Sequence, residues 1–494
     1  MLLAGYYDPI FFIFVSAITF LLPVLLKYRT KPERSIYAYL ILWITFPKHI
    51  RSIPLIGIYD FPGYSYFDVL QTIATLHIVI LLIIKGYGDA KSIQMPKKIK
   101  ELTIYFIATL VLTTISGVLR YLFFVSQEDQ LPVGSLLDNA FMPYTGVIFF
   151  LGLFAFILDY KQVEKLLGIL ALSGVLLLIE HLLMVKLQLF SSLNQWAFAS
   201  DDIRFSSLIY GSYDIKGIFC VISTFAILYF AIEKKKYYIL PLAFLMIFPI
   251  YATFQRTPYL GYFFGLITFI SIYMKKKHLI VKFMFFFIVL FSALFISINS
   301  KSILKSTNDF ITEDGMAREG DINDDQSFYD RLGLWYRAAD VFIYYFPLGV
   351  GEGMFEVYSG STLTPNIISS LVVQKSQSGY ESSSGFYRTK PHNVYIEFIS
   401  EYNILGFIVL LLFIKEILKY LWGTGLKNLY AVNNLFRASV ISMIVGLGIM
   451  NLFDSVFRLY FVYGLLMFFV YFVSKSGNTR HSTNSGSRNA NGNS

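Results

Sequence analysis

Long apolar runs recur along this chain, and they constrain its fold more than any other feature. An apolar helix of about 20 residues is long enough to cross the hydrocarbon of a bilayer. Of the 494 residues, 56% are hydrophobic and only 15% are charged, which is too apolar for a soluble protein of several domains. The runs lie near residues 9–26, 35–47, 65–84, 102–124, 141–158, 166–184, 214–232, 237–254, 257–274, 283–299, 403–421, 434–453 and 457–473.

These runs predict an all-α membrane protein, a polytopic helical bundle of about 12–13 transmembrane helices with one long extracytoplasmic loop domain. The second run is short and is followed by Pro47, so the helix count around residues 35–64 stays open. The first run has no basic segment before it and no small-residue cleavage site, so we interpret it as a retained span instead of a signal peptide.

Basic residues indicate the orientation of the bundle. Most of the 41 Lys and Arg residues lie in alternate loops, such as 27–34 and 275–282, and in the C-terminal tail. Basic loops resist translocation, so these loops are predicted to be cytoplasmic, with the N-terminus outside and the C-terminus inside. The formal charge of +9 then reflects membrane topology and gives no argument for binding nucleic acid.

The same pattern divides the chain into four segments. Residues 1–299 hold predicted transmembrane helices 1–10, and residues 300–391 form the extracytoplasmic loop domain. Residues 392–473 re-enter the membrane and add the C-terminal helices, and the Ser/Asn/Gly-rich tail 474–494 is predicted to be disordered. Within the loop domain, apolar residues from Leu334 to Phe342 have helical spacing and end before Pro347.

Two motifs in the loop domain are weak. Asp321, Asn323 and Asp325 alternate as in a calcium loop, but Gln326 and Leu332 stand where glycine and glutamate are required, so we predict no metal site. The segment "GVGEG" at 349–353 follows a helix and a proline instead of a strand, so a tight turn with close backbone approach is favoured over a phosphate-binding loop.

Candidate chemistry is concentrated at the predicted outer face. Arg256 joins two spans through a short outer turn, where a guanidinium either snorkels to lipid headgroups or grips a diphosphate in a bidentate manner. His392 follows Pro391, where the loop re-enters the membrane, and is either structural or catalytic. Further candidates for substrate binding are Arg337, Trp335, Asn393, Glu401 and Arg120.

Arg331 and Arg337 flank Trp335 at a spacing that does not fit one helix face, so we expect only one of the two arginines to contact substrate. The alternative for either arginine is an ion pair with Asp330 or Asp340. Apart from His77, the ionisable groups lie at outer ends of spans, whereas a proton-coupled transporter would place them near the midplane.

Four motifs occur in order across this topology: "RT" at Arg256, "R-L-x-x-W" from Arg331 leading to "P-L-G-V-G-x-G", "H-N-x-Y-x-E" from His392, and "E-x-x-I-L-G" from Glu401. Together they resemble the O-antigen ligase and polymerase family of bacterial envelope polysaccharide synthesis. Asn403 is a departure, since the family usually has glycine there. Asparagine tolerates left-handed backbone better than most residues, so we expect the turn to survive.

The resemblance implies a metal-independent glycosyltransferase without cofactor on the outer face of the bacterial plasma membrane. Its donor would be a glycan on undecaprenyl diphosphate, and its acceptor another lipid-linked repeat unit or a lipid A core sugar. By motif, Arg256, Arg331 and His392 are the catalytic residues. A chain-length regulator is a possible further partner, and no nucleic acid is expected.

We favour a repeat-unit polymerase, with a ligase to lipid A core or to a protein acceptor as the alternative. A transporter or flippase of lipid-linked sugars is the rival from another class, and it predicts midplane charges and repeated halves. The sugar, the linkage, the anomeric outcome and the oligomeric state stay open.

Overall fold

The computed structural model of this chain is helical wherever it is described. Its regular elements in the described residues are α-helices and one short 3-10 turn, which confirms the predicted all-α class. The described residues are 31–45, 66–88, 95–124, 133–183, 213–251, 253, 256–273, 324–359, 363–365, 367–368, 393–423, 434–452 and 462–472. The apolar runs 9–26 and 283–299 and the tail 474–494 lie outside them.

We number the helices in chain order. They are α1 Glu33–Thr45, α2 Tyr66–Gly88, α3 Lys97–Phe124, α4 Val133–Phe156, α5 Tyr160–His181, α6 Tyr213–Glu233, α7 Leu240–Leu245, α8 Ile247–Tyr251, α9 Arg256–Tyr273, α10 Asp324–Tyr344, α11 Phe355–Tyr358, α12 Val394–Gly423, α13 Asn434–Asn451 and α14 Val462–Phe472.

Four of these helices, α3, α5, α6 and α12, contain segments long and apolar enough to cross a membrane. The surface of α3 is also apolar, because Leu119, Leu122 and Phe123 are 50%, 68% and 76% exposed. Large apolar side chains in such a row are stable where hydrocarbon, and not water, covers them. The protein is therefore a multi-pass helical membrane protein.

Two predicted spans differ from the helices observed. The run 237–254 is broken into a 3-10 turn and the short helices α7 and α8, which contain Pro241 and Pro249. Proline lacks the amide hydrogen that a continuous helix needs. The run 403–421 begins earlier, at Val394, because α12 consists of two helical stretches joined by a kink at Asn403.

Local sequence signals position other helix ends. Asp159 caps α5 by accepting a hydrogen bond from the backbone of Gln162 at 2.8 Å, and the Gln162 side chain accepts one from the Asp159 backbone at 3.3 Å. This reciprocal pair satisfies donors that the first turn of a helix cannot satisfy internally. In the loop domain, α10 ends at Tyr344, as its apolar spacing and Pro347 predicted.

The centre of the bundle is the close packing of α6, α9 and α13. A Cβ atom built on Gly261 of α9 would lie 2.8 Å from the carbonyl oxygen of Gly446 on α13, and one built on Gly446 would lie 2.8 Å from that of Gly261. Similarly, a Cβ atom on Gly217 of α6 would lie 2.5 Å from Pro258 of α9. Small residues at these positions let the helix backbones approach closely.

We predict that Gly446→Ala destabilises the protein by about 1–3 kcal/mol, because the added methyl group has no space against the Gly261 backbone. Gly448→Ala is the matched control two residues along the same helix, since its nearest neighbour outside the helix, the Tyr395 hydroxyl, would lie 3.7 Å away. Thermal unfolding of the purified full-length variants measures the difference. Equal midpoints for the two variants would contradict this account of the packing.

Candidate functional site

Several helix starts meet at one end of the bundle, which we call the Leu452 end because α13 finishes there. Met450 of α13 lies beside Gly217 near the start of α6 and Gly261 near the start of α9. The side-chain amide of Asn393, directly before α12, donates to the Leu452 carbonyl at 2.9 Å. The starts of α6, α9 and α12 therefore meet at this end.

One predicted catalytic residue belongs to a helix that starts at the Leu452 end, and a second is the chain neighbour of Asn393. Arg256 is the first residue of α9, and His392 immediately precedes Asn393 in the chain. Arg331 lies in α10, which packs against α12. His392 and the side chains of Arg256 and Arg331 lie outside the described atoms, so the described structure joins the starts of α9 and α12 to the end of α13 and gives no distances between the three reactive groups.

Asn393 caps α12. Its side-chain oxygen accepts hydrogen bonds from the backbone of Tyr395 and Ile396 at 3.0 and 3.1 Å, as an N-cap residue does. With its amide bonded to Leu452, the buried Asn393 side chain fixes the start of α12 against the end of α13. The first turn of α12 is thereby held against α13.

The glycine-rich segment 349–353 is a tight turn, as the sequence predicted. Gly349, Gly351 and Gly353 have φ angles of 74°, 93° and 67°, which glycine adopts without strain. The turn is seated between α12 and α3. The Gly351 amide donates to the Glu401 carbonyl at 3.0 Å, and a Cβ atom on Gly117 of α3 would lie 2.2 Å from the Val350 carbonyl oxygen.

Arg120 of α3 secures this turn. Its guanidinium donates to the Gly349 carbonyl at 2.6 Å and lies 5.1 Å from the centre of the Tyr345 ring. A charge-assisted hydrogen bond combined with a cation–π contact gives a fixed position to both the arginine and the turn. The described contacts of Arg120 are thus to the protein, near the C-terminal end of α3.

Asn403 stands where glycine is usual in the family, and it adopts a backbone conformation that is usual for glycine. Its φ and ψ angles are 53° and −143°, and its side chain compensates for the broken helix. The amide donates to the Phe342 carbonyl at 2.6 Å, and the side-chain oxygen accepts from the Ile404 backbone at 2.9 Å. The kink in α12 is therefore bonded to α10.

Carboxyl groups are buried near this kink. Glu401 is 1% exposed, and its Oε1 atom accepts from the Phe355 amide at 3.2 Å. The hydroxyl of Tyr402 donates to Glu352 of the glycine-rich turn, and Glu397 is buried one turn before Glu401. Sequence reasoning identified Glu401 but missed Glu352, whose only signal was its place between two glycines.

Arg337 of α10 is fully buried and bonds to four protein oxygens. It donates to the carbonyls of Ser359 at 2.6 Å, Thr364 at 2.5 Å and Pro365 at 3.2 Å, and to the Asp340 carboxylate at 3.3 Å. The pairing with Asp340 is the structural alternative that the sequence had left open. The guanidinium holds the backbone of Ser359, Thr364 and Pro365 against α10.

Tyrosine hydroxyls complete the support of the turn. Tyr358 donates to the Gly117 carbonyl at 3.2 Å and Tyr345 to the Leu363 carbonyl at 2.8 Å. Burial raises the pKa of Tyr345 and of Tyr358 above the ordinary value, so both groups stay protonated and donate. Trp335 is half-buried on the same helix as Arg337.

Comparison with known proteins identifies the region that contains these elements. Residues 241–414 match the family described as O-antigen ligase, which confirms the resemblance drawn from the four motifs. The match runs from α7 to the second stretch of α12, and so contains Arg256, Arg331 and His392. No curated protein matches the chain. The described residues contain no group of three or more His, Cys, Asp or Glu side chains that could hold a metal ion.

We predict that position 403 tolerates glycine and rejects other side chains. Asn403→Leu should lower the free energy of unfolding by about 2–4 kcal/mol, because it keeps the strained φ angle and loses the bond to Phe342. Asn403→Gly should stay within about 1 kcal/mol of the wild type, because relief of strain offsets the lost bond. Thermal unfolding of both variants checks this order, and the reverse order would show that the backbone angle does not govern the site.

Proposed function

We propose that this membrane protein, whose residues 241–414 match the O-antigen ligase family, is a glycosyltransferase that polymerises undecaprenyl-diphosphate-linked oligosaccharide repeat units. It acts on the outer face of the bacterial plasma membrane, with its N-terminus outside and its C-terminus in the cytoplasm. The observation that carries the proposal is the joining of the starts of α9 and α12 to the end of α13, since these starts adjoin Arg256 and His392.

The reaction requires two kinds of stabilisation. An acceptor hydroxyl attacks the anomeric carbon of the donor sugar, a new carbon–oxygen bond forms, and the bond from that carbon to the phosphate oxygen breaks. The lipid diphosphate leaves with the bonding electrons, and the hydroxyl loses its proton. In the proposal, the guanidiniums of Arg256 and Arg331 stabilise the leaving diphosphate and His392 accepts the proton.

Other residues position the reacting groups. Asn393 holds the helix that follows His392, and Arg120 and Glu401 hold the glycine-rich turn against α3 and α12. Arg337 fixes Ser359, Thr364 and Pro365, which follow α11, through three bonds, and Trp335 offers an aromatic surface for a sugar. A donor diphosphate lipid, a saccharide acceptor, membrane lipids and a chain-length regulator are the proposed partners.

Substitutions test the catalytic assignment. Arg256→Ala, Arg331→Ala and His392→Ala should each abolish surface polymer while protein levels stay normal, and Arg256→Lys should restore activity only partly because lysine cannot bind a diphosphate as a fork. Arg34→Ala, at an exposed arginine of α1, is the control and should leave polymer unchanged. Full polymer from the His392 variant would remove that residue from the mechanism.

The description of the matched family as ligase favours a second candidate, transfer of the finished glycan to lipid A core. A gel of surface glycans from a strain lacking the protein distinguishes the two reactions. A core carrying one repeat unit is expected for the loss of a polymerase, whereas bare core with polymer left on the lipid carrier identifies a ligase. Purified protein that moves lipid-linked glycan across vesicles without lengthening it would show the flippase instead.

A further inference from the structure

The first turn of α9 has the properties of an anion site. The first amide groups of any helix have no carbonyl partner within that helix, and the helix dipole makes this end positive. Arg256 and Thr257 supply two such amides, and Pro258, which has no amide hydrogen, completes the turn. Phosphate groups bind readily at helix starts of this kind, but a second observation is needed before a site is inferred here.

Thr257 provides that observation. Its side chain is only 7% exposed, and its hydroxyl has no hydrogen-bond partner in the described structure. Hydroxyl groups further along α9 behave differently, since Thr268 and Ser271 donate to the carbonyls of Phe264 and Ile267 at 2.8 and 2.7 Å. A buried hydroxyl without a partner is costly, so the Thr257 hydroxyl is suited to a ligand at the start of α9.

A buried cation lies on the neighbouring helix. Lys216 of α6 is fully buried and interacts electrostatically with Glu180 at the end of α5. The next residue, Gly217, packs directly against Pro258 of the same α9 turn. The start of α6 that carries Lys216 therefore packs against the first turn of α9, and its ammonium group would add positive charge near that turn.

We propose that the start of α9 is a phosphate subsite for the diphosphate of the polyprenyl-linked donor. In this subsite the Thr257 hydroxyl and the amides of Arg256 and Thr257 donate hydrogen bonds to phosphate oxygens, and Lys216 adds positive charge from α6. The inference rests on the proposed function, to which it adds two binding residues. Hydroxyl, amide and ammonium donors together match the several acceptor oxygens of a phosphate group.

Binding of undecaprenyl diphosphate to the full-length protein in nanodiscs tests the hydroxyl. Thr257→Val, which keeps the shape and removes the donor, should weaken binding about tenfold, as expected for a lost hydrogen bond to a charged group. Thr257→Ser restores the donor and should bind like the wild type. Thr268→Val is the matched control on α9 and should also bind like the wild type, because Thr268 donates to its own helix.

Three further probes identify the chemistry that is recognised. Undecaprenol, which lacks phosphate, should bind equally to the wild type and Thr257→Val, and inorganic diphosphate should compete with undecaprenyl diphosphate for the wild type. Nanodiscs made with phosphatidylglycerol or with a zwitterionic lipid should give the same affinity for undecaprenyl diphosphate. If wild-type protein binds undecaprenyl diphosphate more weakly in phosphatidylglycerol nanodiscs than in zwitterionic ones, and Thr257→Val shows no such difference, the subsite binds a lipid headgroup. That result would overturn the proposal.

Lys216→Met tests the cation separately. It should weaken undecaprenyl diphosphate binding and make the remaining affinity less sensitive to salt, because one charge is lost, whereas Lys216→Arg should keep the salt dependence. If Lys216→Met does not fold, Lys216→Arg and Thr257→Val decide the question, and wild-type affinity in Thr257→Val overturns the subsite.

Failure of the phosphate subsite and failure of the proposed glycosyltransferase reaction give different results. If Arg331→Ala abolishes polymer while Thr257→Val binds undecaprenyl diphosphate as tightly as Thr268→Val does, the subsite is wrong and the glycosyltransferase stands. If Thr257→Val loses binding but the wild-type protein neither lengthens nor transfers glycan, the subsite stands and the proposed reaction is wrong.

Discussion

Close backbone contact between α6, α9 and α13 is the constraint on which the candidate site depends. Lipid tails are as apolar as the side chains of the helices, so burying those side chains against each other contributes little free energy. Helices in a membrane therefore associate through tight packing, which small residues allow. Gly217, Gly261 and Gly446 allow that approach, and the neighbouring Met450 extends the contact to the Leu452 end. The starts of α6 and α9 are brought together there because Gly217 has no side chain and lies directly against the Pro258 ring.

The glycine-rich turn shows how polar backbone is accommodated beside an apolar bundle. A buried amide or carbonyl without a partner costs about 1–3 kcal/mol, so a turn inserted between α3 and α12 requires donors and acceptors on both helices. Arg120 supplies a donor to Gly349, and the Glu401 carbonyl accepts from Gly351. Positive φ angles turn the backbone within this space, and a side chain at Gly349 would meet the Glu401 carbonyl at 2.2 Å. The result is a polar turn with a fixed position between α3 and α12.

The sequence predicted the parts of this arrangement that depend on local pattern. Apolar runs gave the helices, the spacing of glycines gave the turn at 349–353, and Asn403 was expected to take over a conformation usual for glycine. The helix breaks around Pro241 and Pro249 lay inside one apolar run. Hydropathy reports how apolar the side chains are, and it does not register the backbone hydrogen bonds that proline removes. The burial of Glu352 depends on contact with Tyr402, fifty residues away along the chain, and no local pattern records such a contact.

The two arginines of α10 illustrate why residue type alone does not define a site. Six residues correspond to a rotation of about 240° around a helix, so Arg331 and Arg337 occupy different faces. Arg337 is committed to four protein oxygens, and this fixes the rotation of α10 about its axis as well as the segment that follows α11. The backbone of Arg331 therefore belongs to a helix whose rotation is fixed by bonds made on another face. A helix anchored in this way loses little further conformational entropy if it binds a ligand, which is the advantage of building a site on a rigid helix.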